Sequence, residues 1–444
     1  MLPHGSADSF FLARVANSSA SAAQKIPLFI VTSNAQDAER LTSEIAWLAP
    51  QLRVHRLPDW ETLPYDHFSP HPDLVSERLA TLYQFSQSAF DVGIVPVTTA
   101  MTRLAPREYL AGRSFFLRTK TKLNLESMRS DLSSAGYANT QQVMAPGEYA
   151  VRGGLIDLFP MGSPVPYRID LFGDEIEAIR TFDVDTQRSI YPVNEIRLLP
   201  AREFPLDKEG QHRFRESFRD RFEGDPSKSR MYKDVSGGMA PNGIEYYLPL
   251  FFEKTATVFD YLPTSTNIFI HGDLEASADV FWADTKSRYE LLRGDKDHPL
   301  LPPADIFLPT NELFAGLNRF KKIENNFAPS TSVAAIEVDR KAADPIARFR
   351  TFVASFDGRI LINAETLGRR ETITQFLSEN GLNAAPVLEF IKYDNERTDP
   401  IILDCDCFYL PDLLLIRAVS DPPISGSARK QNFRRGQIGV PLRL

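Results

Sequence analysis

Three carboxylates, Asp59, Glu61 and Asp66, surround Trp60 in a proline-rich segment, and their types suggest acid–base chemistry. A general acid or base must lie within hydrogen-bonding reach of the proton that it transfers. Carboxylates in a loop punctuated by prolines serve far more often as turn caps and surface charges. We therefore expect no acid–base site in this segment.

Histidines and cysteines, the usual ligands of transition metals, are few and unfavourably spaced. His67 and His71 are four residues apart, but Pro70 prevents a helix from presenting both to one ion. Cys405 and Cys407 are the only cysteines, and no further cysteine or histidine pair completes a zinc set. The sequence predicts no metal site and two free thiols in a reducing compartment.

A phosphate-binding loop is also missing from the sequence. Such a loop has the pattern Gly-x-x-x-x-Gly-Lys-Ser/Thr, because backbone N–H groups, a lysine and a hydroxyl must meet the phosphates and Mg²⁺. No Gly-Lys-Ser/Thr run occurs in the 444 residues. We expect this chain to bind no cofactor and to hydrolyse no ATP.

The most informative side chains lie in the stretch 147–188, whose pattern indicates antiparallel hairpins. Apolar and polar residues alternate over 167–172, so strand geometry places Arg168 and Phe172 on the outer face while Ile169 points inward. An arginine and a bulky aromatic side chain on one exposed sheet face are typical anchors of protein interfaces. The alternative is a solvated strand face with an incidental phenylalanine.

The hairpins that must position these residues are set within a larger α/β pattern. Buried-strand and helical patterns alternate at 28–31, 38–48, 74–83 and 92–97. Such alternation indicates a parallel sheet that is covered on both faces. Further along the chain, 274–292 is predicted to be helical with Asp273 as its N-cap, and Gly173-Asp174 is predicted to be a hairpin turn.

Composition is that of an ordinary globular chain, with 43% hydrophobic and 24% charged residues. A length of 444 residues predicts two to four domains. The net charge of −8 opposes nucleic-acid binding as the main activity, because contacts to the phosphate backbone require a basic surface. We find no membrane-spanning run and no signal-peptide pattern, so we expect a cytoplasmic location and neither a membrane partner nor a small-molecule substrate.

Several stretches together resemble transcription-repair coupling factors of the Mfd type, and in particular the UvrA-binding module that these share with UvrB. The stretches similar to the module are GEYAVRGGLIDLFPMGS, PYRIDLFGDEIEAIRTFDVDTQRS and LLPAREFP. Outside the module, DWETLPYDHFSPHPDLVSERLATLYQ, VPVTTAMTRLAP and GIEYYLPLFFE are also similar. The resemblance covers roughly residues 5–395, and the combination of motifs is highly specific.

The resemblance implies an α/β fold, in which a degenerate helicase-like parallel α/β domain is interrupted by an α+β insert of antiparallel hairpins. The two halves of the UvrB-type domain would be 1–114 and 200–325, with the UvrA-binding insert at 115–199. A small third α/β domain would occupy 326–398. Residues 399–444 depart from the family pattern and are predicted to be an irregular, disordered tail. We expect a chain truncated before the polymerase-binding and translocase domains.

The family's UvrA contacts, carried over residue by residue, fall on Arg152, Arg168 and Phe172. A phenyl ring between two guanidinium groups can fill an apolar pocket while each guanidinium meets a carboxylate. Each arginine also has an alternative partner within the chain: Asp157 or Asp170 for Arg152, and Glu175 for Arg168.

The resemblance implies an adaptor of transcription-coupled nucleotide excision repair, which recruits UvrA to RNA polymerase stalled at DNA lesions without catalysis of its own. The family's nucleotide loop falls on 4–8, which has one glycine, no lysine and an aspartate that would repel phosphate. ATP, Mg²⁺, DNA and RNA polymerase would be bound by parts of the longer family protein.

Two other functions stay open at this point. One is the ATP-dependent DNA translocase or helicase activity of the longer family protein. The other is a damaged-DNA-binding module in which Trp60, Tyr65 and Phe68 stack on bases. Packing of these three rings within the protein is the preferred interpretation.

Overall fold

The computed structural model of the chain describes residues 7–20, 26–295, 297–324, 342, 344–355, 359–363, 367–383, 385–386, 401–403, 409–410, 413–419 and 442–443. These residues form two compact units. The larger unit comprises Ile26–Glu39 and Val54–Ile323, and the smaller unit comprises Met1–Lys25, Arg40–Arg53 and Glu324–Leu444.

A five-stranded parallel sheet forms part of the core of the larger unit. Its order is β13-β12-β1-β3-β2, with β1 at Leu28–Thr32, β2 at Val54–Arg56, β3 at Val92–Pro96, β12 at Asn267–His271 and β13 at Lys321–Lys322. All residues of β1 and β3 are buried, as expected for parallel strands that are covered on both faces. The predicted α/β class with a parallel sheet is confirmed.

Helices connect these strands and follow them. They are α2 (Ala35–Leu48, which ends in the smaller unit), α3 (Pro72–Ser86), α4 (Val97–Ala100), α5 (Arg107–Gly112), α6 (Leu125–Ser134), α7 (Lys208–Arg221), α8 (Arg230–Ser236), α9 (Leu274–Leu292), α10 (Pro303–Ile306) and α11 (Thr310–Leu317). Three short 3₁₀ helices lie at Pro226–Lys228, Ile244–Phe251 and Val258–Tyr261. The predicted cap of α9 is present, since Ala276 N donates to Asp273 Oδ1 at 3.1 Å.

The hairpin region forms a six-stranded sheet with the order β10-β9-β8-β7-β6-β5. Its strands are β5 (Ala138–Asn139), β6 (Glu148–Arg152), β7 (Leu155–Leu158), β8 (Tyr167–Phe172), β9 (Glu175–Phe182) and β10 (Ser189–Val193). Neighbouring strands are antiparallel except for β5 and β6. A separate antiparallel pair joins β4 (Phe115–Arg118) to β11 (Glu195–Leu198).

The two faces of the six-stranded sheet are covered differently. Ile156, Ile169 and Ile179 pair across β7, β8 and β9, are fully buried, and belong to the same apolar cluster as the core of the parallel sheet. The opposite face, which we call the outer face, carries only a small cluster of Val143, Ala150, Phe159 and Phe182. Most of the apolar burial therefore fixes the inner face and leaves part of the outer face to solvent.

The smaller unit contains α1 (Ala7–Ala20), α12 (Ala347–Ser355), α13 (Leu367–Glu379) and a sheet around β14 (Arg359–Asn363). Strands β15 (Ala385–Pro386), β16 (Ile401–Leu403), β17 (Tyr409–Leu410), β18 (Leu413–Val419) and β19 (Leu442–Arg443) complete this sheet. The central strand β14 pairs in parallel with β16 and β18. Helices and parallel strands thus recur here, as predicted for a small α/β domain.

Strands β16 to β19 fall in the segment that the sequence predicted to be an irregular tail. Ile401–Leu403 and Leu413–Val419 are apolar runs of the kind that parallel strands use, and pairing with β14 satisfies their backbone groups. The tail prediction weighs 399–444 as a whole, in which 422–444 is basic and contains prolines, and so overlooks these short apolar runs. Most of 422–444, together with Cys405 and Cys407, lies outside the described residues.

The two units also divide the N-terminal residues differently from the predicted domain 1–114. Met1–Lys25 and Arg40–Arg53 group with the C-terminal residues, and the smaller unit resumes at Glu324, beside the predicted boundary at 325. Within that unit, Asp8 of α1 forms an ion pair of 2.7 Å with Arg40 of α2. Among the described residues, every helix is too short or too polar to span a bilayer.

Candidate functional site

Two hairpin loops bring two of the three predicted docking residues to one end of the six-stranded sheet. Arg152 ends β6 before the loop Gly153–Gly154, and Phe172 ends β8 before the loop Gly173–Asp174. Leu171 N donates to Gly154 O at 2.8 Å, so the two loops lie side by side. The sheet therefore presents Arg152 and Phe172 at the same end of its strands.

Glycine is needed in both loops for geometric reasons. Gly153 and Gly173 have φ of +61° and +64°, in the left-handed region where a side chain is strained. A Cβ added to Gly154 would lie 3.1 Å from Leu171 O. The backbones of the two loops thus approach closely at Gly154, and the predicted turn at Gly173–Asp174 is confirmed.

Phe172 projects from the outer face into solvent. Its exposure is 78%, although the residue lies in a regular strand and pairs with Glu175 across the hairpin. A β-bulge in the pairing of β8 with β9 falls beside it, between Asp170 and Leu171. The extra residue at this point is Glu177 of β9, and a bulge increases the local twist of the strand pair. The ring is thus available to a partner.

Arg168 lies deeper and is engaged on several sides. Its Nε donates to Asp157 Oδ1 at 2.7 Å, and its Nη2 donates to Asp157 Oδ2 at 3.0 Å. Its Nη1 donates to the backbone oxygen of Gln187 at 3.0 Å, and the guanidinium carbon lies 4.9 Å from the centre of the Phe182 ring. Only 17% of the side chain is exposed. The hydrogen bonds to Asp157 raise the pKa of Arg168 above its ordinary value, so it stays a cation.

Arg152 shares the carboxylate of Asp157 but remains half-exposed. Its Nη2 donates to Asp157 Oδ2, while 54% of its side chain faces solvent. Of the alternatives weighed from sequence, the Arg152–Asp157 pair is therefore present, whereas Arg168 pairs with Asp157 rather than with Glu175. The outer face holds one accessible guanidinium and one largely buried guanidinium on a single carboxylate.

An open depression of about 540 Å³ adjoins the two arginines. It is lined by Gln141, Gln142, Arg152, Leu155, Arg168 and Gln187. Beside it, Gln187 is held by its own side chain, whose Nε2 donates to Val184 O at 2.7 Å. Amide and guanidinium groups line most of the depression, so it suits a polar or acidic ligand group rather than an apolar one.

The arginines of the outer face are matched by carboxylates of the same face. Arg180 forms an ion pair with Asp170 beside the Asp157 cluster, so three arginines face two aspartates. Exposed Glu175 lies opposite Phe172 in the hairpin, so the carboxylates equal the arginines in number. A carboxylate of a partner could therefore be met only locally, by the half-exposed guanidinium of Arg152.

Sequence reasoning identified Arg152, Arg168 and Phe172 and named Asp157 as a possible partner of Arg152, but it missed the residues that hold Arg168. Asp157, Phe182 and Gln187 lie under or beside Arg168. A signal was present in the sequence, because Asp157 interrupts the apolar run Leu-Ile-Asp-Leu-Phe, and an aspartate at a buried position requires a partner.

The other candidate residues of the sequence form no comparable site. Trp60 and Tyr65 are buried in an aromatic cluster, and only Phe68 of the three predicted stacking rings is exposed. His71 caps α3 by accepting from Asp73 N at 3.3 Å, and His67 lies against the ring of His298. In the described part of the chain, no three His, Cys, Asp or Glu side chains are grouped to hold a metal ion. Residues 4–6 of the degenerate nucleotide loop lie outside the described residues.

Two families match segments of the chain. Residues 115–204 match the UvrB interaction domain, and residues 352–405 match the MFD, D3 domain. The first match begins at the predicted first residue of the insert and contains the whole outer face described above. The second lies in the smaller unit and covers β14 and α13.

Curated relatives match over a longer range. The transcription-repair-coupling factor of Escherichia coli is 42% identical over 366 residues, which are 79% of this chain and 32% of that protein. The protein of the same name from Haemophilus influenzae is 36% identical over 420 residues, or 91% of this chain and 36% of the relative. That from Bacillus subtilis is 28% identical over 280 residues. The chain spans about a third of the length of the curated relatives that it matches.

Proposed function

Because the chain is a relative of the transcription-repair-coupling factors and carries a UvrB interaction domain, we propose that its outer face binds UvrA through Arg152, Arg168 and Phe172. The observation that carries the proposal is the 78% exposure of Phe172 at a hairpin end, on the same sheet face as the half-exposed guanidinium of Arg152. Aromatic and arginine side chains that become buried on association supply most of the binding energy of protein interfaces.

Each residue has a distinct part in the proposed interface. Phe172 enters an apolar pocket of UvrA, where full burial of such a ring contributes roughly 2–3 kcal/mol. Arg152 donates its remaining N–H groups to a carboxylate of the partner, as charge-assisted hydrogen bonds. Arg168 contacts UvrA only through the 17% of its side chain that is exposed. Its main part is structural, since three of its nitrogens already donate within the chain.

The biological role follows from the longer relatives. We infer that the chain acts as an adaptor of transcription-coupled nucleotide excision repair, in which UvrA bound at the outer face is brought to RNA polymerase stalled at a DNA lesion. The polymerase, DNA, ATP and Mg²⁺ would be bound by other parts of a longer protein. The name shared by the relatives, transcription-repair-coupling factor, supports this role.

We further propose that the chain itself catalyses no ATP hydrolysis. It contains no Gly-Lys-Ser/Thr run to grip a phosphate and Mg²⁺. Asp8, at the end of the degenerate loop, is buried and bound to Arg40, and a carboxylate at that position does not attract a phosphate. An ATPase assay with and without DNA is expected to give the rate of a buffer blank, and turnover that rises with protein concentration would refute this proposal.

The UvrA proposal is tested by measuring the affinity of the purified chain for UvrA with Phe172→Ala. We expect a loss on the order of 2 kcal/mol, or about 30-fold in Kd, because the anchor is removed from the interface centre. The free energy of unfolding should be almost unchanged, since the ring is exposed in the free protein.

Phe68→Ala is the matched control for that experiment. Phe68 is 68% exposed, similar to Phe172, but lies in the proline-rich loop outside the UvrB interaction domain. Its removal should change the affinity by less than about twofold. Equal effects of the two substitutions, or no binding of UvrA by the unaltered chain, would contradict the proposal.

A further inference from the structure

The outer face contains a buried carboxylate whose position points to a role in binding. The side chain of Asp157 is 0% exposed, although it projects from β7 toward the solvent side of the sheet. A buried carboxylate is costly unless it is paired and hydrogen-bonded. Asp157 is covered by the very arginines that the proposed interface uses, so the three side chains form one unit.

The two arginines depend on Asp157 to different degrees. Arg168 keeps two contacts without it, the backbone oxygen of Gln187 and the ring of Phe182. For Arg152, Asp157 is the sole hydrogen-bond partner within the described part of the chain. Without that bond the long side chain would sample many rotamers, and its ordering would have to accompany association.

We propose that Asp157 is a positioning residue for UvrA binding, which holds the guanidinium of Arg152 on the outer face, next to Arg168, before the partner arrives. This inference rests on the proposed function and adds a residue that does not touch the partner. Asp157 bridges Arg152 and Arg168 with its two oxygens, so the distance between the guanidinium groups is set by one carboxylate. Preorganisation of this kind improves affinity by removing the cost of ordering on binding.

The test is a double-mutant cycle on UvrA affinity with Asp157→Asn and Arg152→Ala. The amide is nearly isosteric but has one acceptor oxygen and no charge, so it cannot hold both guanidinium groups. We expect Asp157→Asn alone to weaken binding about tenfold, and to weaken it less than about twofold when Arg152 is already alanine. A residue with a merely structural role would give the same loss in both backgrounds.

Asp170→Asn is the matched control for this cycle. Asp170 lies on the outer face of the same sheet and is paired with an arginine, but that arginine is Arg180. Its substitution should show no coupling to Arg152→Ala. Coupling of similar size at Asp170 would overturn the inference, because it would mean that any charge change on the face acts through Arg152.

A second background keeps the test valid if Asp157→Asn leaves Arg168 unpaired and the protein unfolds. Replacing Arg168 by Met together with Asp157→Asn removes the buried pair as a unit, which is tolerated far better than the loss of one partner. The cycle is then repeated with Asp157→Asn and Arg168→Met made together as one change and Arg152→Ala as the other, with circular dichroism as the check of folding. Additive losses in either background would overturn the inference. Unchanged affinity in Arg152→Ala, Arg168→Ala and Phe172→Ala would instead overturn the proposed function.

Discussion

At the scale of single residues, burial of charged groups decides which side chains are poised to change state near neutral pH. Glu245 lies in the first turn of the 3₁₀ helix Ile244–Phe251 and accepts a hydrogen bond of 2.8 Å from Ser69 Oγ. Burial raises the pKa of Glu245 to about 7, while the bond from Ser69 opposes this rise and Glu203 adds to it. Ser69 also accepts from Gly243 N at 3.0 Å, so the carboxyl group ties the proline-rich loop to the helix.

This raised pKa predicts how stability depends on pH. Between its ordinary value of 4.5 and about 7, Glu245 is protonated in the folded chain and ionised in the unfolded chain. The folded state therefore binds more protons, and the free energy of unfolding contributed by this group falls as pH rises through that window. Glu245→Gln keeps an acceptor for Ser69 but cannot ionise, so this contribution should vanish.

Urea unfolding of the unaltered chain and of Glu245→Gln, at several values between about pH 5 and about pH 8, tests the prediction. The difference in stability between the two proteins should grow in favour of the glutamine variant as pH rises. A difference that stays constant with pH would show that Glu245 titrates normally.

At the scale of elements, the connection between β7 and β8 must pass closely over α3. Gly162 lies in this connection with φ of +76°, and a Cβ added to it would lie 2.9 Å from Leu199 Cδ1 and 3.1 Å from Ala80 Cβ. Its N–H donates to Ser76 Oγ of α3 at 2.8 Å. This glycine thus allows the hairpin sheet to dock on the helix.

We expect Gly162→Ala to lower the free energy of unfolding by about 3 kcal/mol, because backbone strain and the clash with Ala80 and Leu199 add together. Gly153→Ala is the matched control, since Gly153 also has positive φ but no atom lies within 4 Å of its added Cβ. That substitution should cost only about 1 kcal/mol of conformational strain. Denaturant unfolding measures both, and an equal cost would mean that the contact with α3 is not tight.

Comparison of particular elements shows how far the sequence could predict the site. The alternation along β8 and the glycines of the two hairpin loops are local signals, so the outward position of Phe172 and the turn at Gly173–Asp174 were predictable. The Asp157–Arg168 pair depends on the register of β7 against β8, which non-local packing of Ile156 on Ile169 fixes. No local sequence pattern determines the register between β7 and β8.

In the smaller unit, pairing between segments far apart in the sequence again determines the structure, and there the sequence predicted no strands. Strands β16 and β18 are separated from β14 by a helix and other residues, and they flank β14 in the sheet by pairing with it. A composition-based prediction weighs each segment alone and therefore favours an irregular tail. Apolar runs such as Leu413–Leu415 are better evidence than the overall basic character of the segment.

At the scale of the whole larger unit, a buried ion pair joins the hairpin region to the parallel α/β framework. Arg78 of α3 is 1% exposed, and its Nε lies 2.6 Å from Glu203 Oε1. Its Nη1 donates to Pro58 O at 2.7 Å, and its guanidinium carbon lies 5.1 Å from the centre of the Trp60 ring. Glu203 falls in the last residues of the UvrB interaction domain match. The docking face is therefore anchored to α3 at the base of its own domain.

This anchor predicts that the hairpin region and the parallel sheet unfold together. Arg78→Met leaves the Glu203 carboxylate buried without its partner, which typically costs about 3–5 kcal/mol. The destabilisation is located at the junction between the two parts. We therefore expect the variant to unfold in two transitions, with the hairpin region unfolding first, whereas the unaltered unit should unfold in one transition. The three tryptophans, Trp47, Trp60 and Trp282, all lie outside the hairpin region, so tryptophan fluorescence does not report on that region, whereas far-ultraviolet circular dichroism reports both parts.

The companion substitution separates loss of a charge partner from loss of packing. In Arg78→Met with Glu203→Leu, both charges of the ion pair are removed together, and apolar side chains of similar length fill the space beside Trp60. We expect this double variant to be more stable than Arg78→Met alone and to recover a single transition, because apolar replacements of a buried ion pair are often neutral. It should also bind UvrA with unaltered affinity, since Arg152 and Phe172 lie at the opposite, loop end of the strands. A double variant less stable than Arg78→Met would mean that the ion pair holds the junction by its hydrogen-bond geometry, including the bond to Pro58 O, and not by mutual neutralisation.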